Sequence, residues 1–310
     1  MNTGSFGTGE AREGRRVLVW TLLVTVYILW GSTYLAIRYA VETIPPFIMA
    51  AVRFSVSGAV LYLWRRGAGD APPTLAQWRT AGIIGVLLLV GGNGGVVWAE
   101  QRVPSGLTAL LVSAVPLWMV ILDLVRPGGR WPGFWAAAGI LAGFAGIVIL
   151  AAARGTGAGA QQTDAIGIAV LVAASFLWSA GSVYSKTVEH HPSALLDTGM
   201  TMLAGAAGFL VMATVTGEWA SLGAKEVSSA SLWGLGYLIV FGALVGFAAY
   251  TWLIRHAPIS LVSTYAYVNP VVAIFLGFFI AHEPVTARII VAAFIIIGSV
   301  VLTTTAQRWR

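Results

Sequence analysis

The chain has 310 residues, of which 58% are hydrophobic and only 10% charged, against roughly 25% charged in an ordinary soluble domain. So few charges cannot cover a soluble domain of this length, which excludes a cytosolic enzyme, and the absence of cysteine excludes disulfides, thiolate metal sites and thiol nucleophiles. The net charge of +6 is dispersed singly and in pairs between apolar runs, a pattern of membrane topology and not of a nucleic-acid footprint.

Residues 1–16 are polar and rich in glycine, ending Glu13-Gly14-Arg15-Arg16, and are expected to form a disordered cytoplasmic tail. The apolar run after them is too long for the core of a signal peptide and is expected to stay as a helix. A membrane span needs roughly 17–25 mostly apolar residues. In chain order the sequence offers ten: Val17–Ala40, Pro46–Trp64, Trp78–Ala99, Ser105–Leu124, Gly133–Ala153, Ala165–Lys186, Ser193–Thr216, Ser231–Ile254, Ile259–Ala281 and Arg288–Thr305. The connections are short and carry breakers such as Pro45-Pro46, Pro72-Pro73, Pro127-Gly128-Gly129 and Pro192. Placing the N-terminus inside puts Arg12, Arg15, Arg16, Arg65, Arg66, Arg79, Arg126, Arg130, Lys186, Arg255, Arg308 and Arg310 in the cytoplasm. Only Arg38, Arg102, Arg154, Lys225 and Arg288 fall outside, so both termini are expected to be cytoplasmic.

The chain repeats itself. An offset of 154 residues pairs Gly82 with Gly236, Gly92 with Gly246, Trp98 with Trp252, Pro104 with Pro258 and Pro116 with Pro270. An offset of 148 pairs Trp30 with Trp178 and Arg38 with Lys186, and one of 152 pairs Pro132 with Pro284. Five spans per repeat is an odd number, so the halves, 17–153 and 165–305, must cross in opposite senses. The expected fold is therefore an all-α membrane protein of ten transmembrane helices, built as two inverted five-helix repeats around a central cavity. Such repeats place substrate near the midplane, at the interface between halves. Pro116 and Pro270 fall eleven or twelve residues into their spans, roughly 17 Å deep at 1.5 Å per residue. They are expected to kink the helices there and free the carbonyls of Val112 and Ala266.

This order of features resembles the drug/metabolite transporter superfamily, specifically its ten-helix EamA-type exporters. The resemblance rests on Trp30-Gly31-Ser32-Thr33, Arg53-Phe54, the Pro258–Pro270 helix and Glu283-Pro284-Val285-Thr286, and covers about residues 18–304. One departure is Arg130-Trp131, where an acidic residue often precedes the fifth span of the family. The resemblance implies secondary export of amino acids or other small metabolites across the bacterial inner membrane, as by YddG-like proteins, with broad specificity. It also leaves a proton-coupled multidrug carrier of the same fold as the alternative.

Polar side chains within spans should face the interior or water. The candidate cavity residues are Trp30, Ser32 and Thr33 in span one, Asn93 in span three, and Trp178, Ser179 and Ser182 in span six. Span nine adds Ser263, Thr264 and Tyr267, with Tyr265 and Asn269 expected on the opposite face. Trp30 and Trp178 lie roughly 20 Å deep by helix rise, too deep for an interfacial belt, and suit aromatic walls. Arg53 is the one full charge well inside a span, at a cost of about 2.5–3.5 kcal/mol on insertion scales, so it needs a partner or a wet cavity. Glu283 is a second charged candidate, as a proton carrier. All four histidines sit at span ends or in loops, leaving no buried Ser–His pair, and no phosphate-binding loop occurs to use ATP. The expectation is thus no enzyme, no catalytic residue, no cofactor, no metal and no nucleic acid. The partners expected are a small-molecule substrate and membrane lipid, with a monomer compatible with the sequence. The Gly139-x-x-x-Gly143 and Gly242-x-x-x-Gly246 pairs are expected to let helices approach closely.

Overall fold

A computed structural model describes residues 6–125, 133–151, 164–222 and 226–308. Among these, every regular element is helical. Helix α1 (Phe6–Ala40) begins at one face of the bundle, the near face, and ends on the other, the far face. Residues 6–16, expected to be a disordered tail, instead continue this helix; they contain no proline, and Arg15 at its near-face end donates to the carbonyl of His256 (3.2 Å).

The chain then runs through α2 (Pro46–Gly67), the α3 rod (Leu75–Ile84) with α4 (Gly94–Ala99), α5 (Ser105–Val112), α6 (Val115–Val125) and α7 (Phe134–Ala151). It continues with α8 (Ala165–Ser185), α9 (Ala194–Val215), the short α10 (Glu218–Ser221), α11 (Ser229–Tyr237) and α12 (Ala248–His256). Last come α13 (Ile259–Val262), α14 (Tyr265–Ala281) and α15 (Ala287–Arg308). The helix starts are written locally. Pro46 occupies the first turn of α2, and Thr74 and Gln77 form a capping box on α3. Asp164, Ser193 and Ser228 cap α8, α9 and α11 through their side chains.

Seven of these helical runs are long and apolar enough to cross a membrane, and Phe134–Ile149, Val268–Ala281 and Ala287–Thr303 are shorter apolar helices. Leu63, Trp233 and Phe294 are exposed on the outside, the surface a lipid solvent selects, whereas Arg53, Ser57, Thr198 and Asp197 are buried inside. The spans of Pro116 and Pro270 are both broken N-terminal to their prolines, but the second break, at Ser263-Thr264, precedes Ala266 and leaves Pro270 inside an uninterrupted helix. Helix α5 stops at Val112, and α6 resumes before Pro116; α13 stops at Val262, and α14 resumes with Pro270 inside it.

Two stretches are wound as π-helix. The first, π1 (Gly85–Asn93), links α3 to α4, and the second, π2 (Leu238–Phe247), links α11 to α12. They coincide under the 154-residue offset. Packing crosses between the halves: α1 lies against α11, π2, α12 and α14, while α8 lies against π1, α4, α5 and α6. Helix α2 pairs with α9, and α7 with α15. The Gly139–Gly143 pair serves that last contact, since a Cβ on Gly139 would sit 2.9 Å from the Ser299 carbonyl of α15.

Candidate functional site

The cross-packing leaves a cavity of ≈70 Å³ at the centre of the bundle. Helix α1 contributes Trp30, Thr33, Tyr34 and Ile37 to its wall; α2 contributes Arg53 and Phe54; π1 contributes Leu89, Gly92 and Asn93. From the other half come Ala174, Ser175 and Trp178 of α8, Gly242 and Phe247 of π2, and Tyr265 of α14. Both π stretches thus open onto the same space. A π turn holds one more residue than an α turn and exposes backbone groups, which is why such turns collect at functional sites. Here the Gly242 carbonyl of π2 accepts a hydrogen bond from the Trp30 indole N–H (3.2 Å).

On its near-face side the cavity is closed by aromatic rings. Trp30 meets Trp178 edge-on at 5.4 Å, Tyr265 edge-on at 5.4 Å and Tyr250 at 4.8 Å between centroids, geometries favoured by the ring quadrupoles. The Tyr250 hydroxyl accepts from the Trp178 indole (3.2 Å) and is hydrogen-bonded to Ser182 (2.7 Å). Closer to the near face, Tyr27 is hydrogen-bonded to Thr264 (2.6 Å), and Lys186 donates to the Ala257 carbonyl (3.2 Å). With its amide turned to face them, Asn269 donates to the carbonyls of Tyr27 (3.1 Å) and Tyr265 (3.2 Å).

Arg53 supplies the charge. It is 3% exposed, its guanidinium carbon lies 4.7 Å from the Phe54 ring centroid, and Nε and Nη1 have no hydrogen-bond partner. The Oδ1 of Asn93 is likewise buried and unpartnered. Unsatisfied donors and acceptors are rare in interiors and costly; in a cavity wall they mark where a ligand or water belongs. None of the lining residues is acidic. A Cβ on Gly242 would come within 2.8 Å of Arg53 Nη2 and 3.0 Å of Thr33 Cγ2, so only glycine leaves the guanidinium its place. The Gly242–Gly246 pair therefore shapes the site, with Gly246 against the Trp30 indole.

Of the residues expected from the sequence, Trp30, Thr33, Asn93, Trp178 and Arg53 line the cavity. Ser182 and Thr264 lie in the closure below it. Ser179 is buried and donates to the carbonyls of Val115 (2.9 Å) and Ser175 (2.8 Å), tying α8 to the break before Pro116. Ser263 is buried but not part of the lining. Ser32 faces away, hydrogen-bonded to Tyr237 (2.6 Å) in a groove on the outside between α1, α11 and α14. The side chain of Tyr267 is outside the described residues, as are Pro127–Gly129 and Arg130-Trp131. Glu283 stands at the far face, paired with Arg38 (3.3 Å) and accepting from the Ser105 and Gly106 backbone at the start of α5 (3.1 and 3.2 Å).

Tyr265, expected opposite the cavity face, lines it instead, because the break at Ser263-Thr264 resets the helical phase. Tyr34, Phe247 and Tyr250 were not anticipated. The 154-residue offset holds a signal for two of them, since it pairs Phe247 with Asn93 and Tyr250 with Val96. One expectation needs correcting. Ser185 Oγ does lie 3.3 Å from His190 Nε2, and His190 Nδ1 lies 3.0 Å from Asp197. Nε2 also faces the Ser185 carbonyl at 2.5 Å, so its hydrogen is committed there and it cannot serve as a base for the hydroxyl. Asp197 is in addition held by Arg255, making this group a near-face clasp.

The same family model matches the chain twice, over residues 18–152 and 165–305, and it describes the EamA-like transporter family. The chain belongs to that family. It is 35% identical to the inner membrane transporter YedA of Escherichia coli (strain K12), over 91% of this chain and 89% of that one. It is 28% identical to the aromatic amino acid exporter YddG of Ancylobacter novellus, over 92% and 96%. A crystal structure 20% identical to it superimposes with a TM-score of 0.63, covering 94% of this chain and 98% of that one, which supports the fold. This EamA-like protein is a membrane transporter of the drug/metabolite transporter superfamily, and its substrate is a small molecule.

Proposed function

We propose that this transporter exports amino acids, aromatic and amphipathic ones included, and related small metabolites across the bacterial inner membrane by alternating access. The observation that carries the reading is the pairing of one unpartnered buried cation, Arg53, with an aromatic wall in a cavity whose lining has no acidic residue. A zwitterion fits that chemistry. Its carboxylate accepts from the Arg53 guanidinium, its ammonium takes Asn93 Oδ1 and the ring faces, and its side chain packs on Trp30, Trp178 and Tyr265. The relative named for aromatic amino acid export agrees with this. A cationic drug would meet the guanidinium without a countercharge, which disfavours the multidrug alternative.

The mechanism rests on the two halves, which we take as five spans each in opposite senses, with both termini cytoplasmic. The three shorter apolar helices then complete ten spans. Three features support inversion: the doubled family match, the π stretches 154 residues apart and the reciprocal packing of α1 and α8. In this reading the aromatic closure is the cytoplasmic gate, and rocking of the halves opens it and the far face in turn. The test is uptake and counterflow of labelled amino acids in proteoliposomes. Wild type should show saturable exchange of several, tryptophan among them. Removing charged hydrogen bonds costs roughly 1.5–3 kcal/mol, so Arg53→Gln should raise KM about 10- to 100-fold. Flux of cationic dyes without any amino-acid flux would transfer the reading to drug efflux.

A further inference from the structure

Among the described residues, Glu100 is the acidic side chain that is buried, at 3% exposed, with neither carboxylate oxygen hydrogen-bonded. It lies just past α4 at the far face, one residue beyond the helical run Leu75–Ala99. The ionisable groups that act on it electrostatically are Tyr34 and Arg38 of α1 and Glu283 of the α14–α15 connection. Helices α8 and α2 also pack on α4, but their charges are engaged elsewhere: Asp164 pairs with Arg102 (3.4 Å) and Arg53 lines the central cavity. Arg38 pairs with Glu283, whose oxygens also accept from the Ser105 hydroxyl (2.9 Å) and the α5 N-terminus. Glu283, the sequence's proton candidate, therefore has a full set of donors, and Glu100 has none.

A carboxylate taken out of water without a donor is unfavourable, and the group takes up a proton instead. Burial, reinforced by the Glu283 charge and opposed by Arg38, pushes the Glu100 carboxyl well above the usual carboxylate range. Tyr34 is close enough to Glu100 to feel its charge and is itself part of the cavity lining. One side chain thus bears on both the buried acid and the cavity.

We propose that Glu100 is the proton-binding site of this carrier, taking a proton from water when the far face opens and holding it as a carboxylic acid while that face is closed over it. Arg38, about one-third exposed at that face, is the cation that can stabilise the carboxylate. Each cycle takes one proton from far-side water onto a Glu100 oxygen and returns one to near-side water after the halves rock, opposite in sense to the exported substrate, and no bond of the substrate changes. The coupling part rests on the carrier reading above, whereas the protonation state does not, so two measurements separate them.

Infrared spectra of the full chain in lipid should show a protonated-carboxyl C=O band at neutral pH that shifts in D2O and is missing in Glu100→Gln. In proteoliposomes, an imposed pH gradient should drive wild-type accumulation of the transported amino acid. Glu100→Gln should lose that accumulation at least tenfold and show a flat pH profile of exchange, and Glu100→Asp should restore part of both. Thermal melting of each variant checks that it is folded. Absence of the band, or full gradient-driven accumulation by folded Glu100→Gln, overturns the proposal. If the band is present but wild type moves no amino acid, the substrate reading fails and the proton site stands.

Discussion

At the scale of the residue, the site is defined by groups that break the rules of a lipid-facing helix. Arg53, Asn93, Trp30 and Trp178 could be picked out from the sequence because a charge, an amide and deep indoles have no place against hydrocarbon. Glu100 gave no such signal, lying at a span end where a solvated acid is ordinary; only its burial sets it apart. Gly242 is the glycine set directly against the Arg53 guanidinium. Its replacement by alanine must displace Arg53 Nη2 or Thr33, and overpacking of this kind costs about 1–3 kcal/mol. Gly242→Ala should therefore lower the melting temperature and reduce amino-acid exchange further than melting alone explains. Gly82→Ala, with open space around it, should do neither.

At the scale of the element, breaks in regular winding determine which faces meet. The apolar helices were legible from hydropathy, seven of them long enough to cross a membrane, but face assignments assumed an unbroken 3.6-residue period. Each π turn adds a residue and so rotates the helix beyond it by about 100°, and the non-helical steps at Ser113-Ala114 and Ser263-Thr264 reset the phase again. That is why Tyr265 lines the cavity. The first break is held by Ser179, whose hydroxyl donates to the Val115 carbonyl from the neighbouring half. Interhelical hydrogen bonds in membranes average about 0.6 kcal/mol with a maximum near 1.7. Ser179→Ala should lower stability within that range, measured by reversible unfolding in mixed detergent, and a larger loss would mean the break is held mainly by this contact.

At the scale of the whole molecule, the near face is fastened by ionic clasps and the far face by carboxylates on helix starts. Glu218 accepts from the Phe47 and Ile48 backbone at the start of α2 (2.9 and 3.0 Å), as Glu283 does for α5. Both caps join the two halves. On the near face Arg65 grips Asp70 through two hydrogen bonds (2.9 and 2.8 Å). That grip, helped by the Ser193 hydroxyl, brings the Asp70 carboxyl down to about 2. A depressed carboxyl stabilises the fold above its unfolded value of 3.8 and loses that contribution as pH falls through about 2. The melting-temperature difference between wild type and Asp70→Asn should accordingly stay constant from neutral pH to about 5 and vanish between about 4 and 2. A difference that disappears near pH 6 would point to the neighbouring histidines instead.

The reciprocal packing of α1 and α8 has a consequence for biosynthesis. Helix α1 leaves the ribosome first, yet the helices it packs against, α11, α12 and α14, are among the last. Until they arrive, Trp30 lacks its Gly242 acceptor and its ring partners Tyr250 and Tyr265, and Arg53 lacks the π2 wall of its cavity. The nascent first half must wait in the bilayer with a guanidinium and an indole turned toward lipid or the insertion machinery. A chain released at residue 153 carries that unfinished surface permanently, which makes it a substrate for membrane quality control, whereas the two halves synthesised as separate polypeptides each bring the other's missing wall.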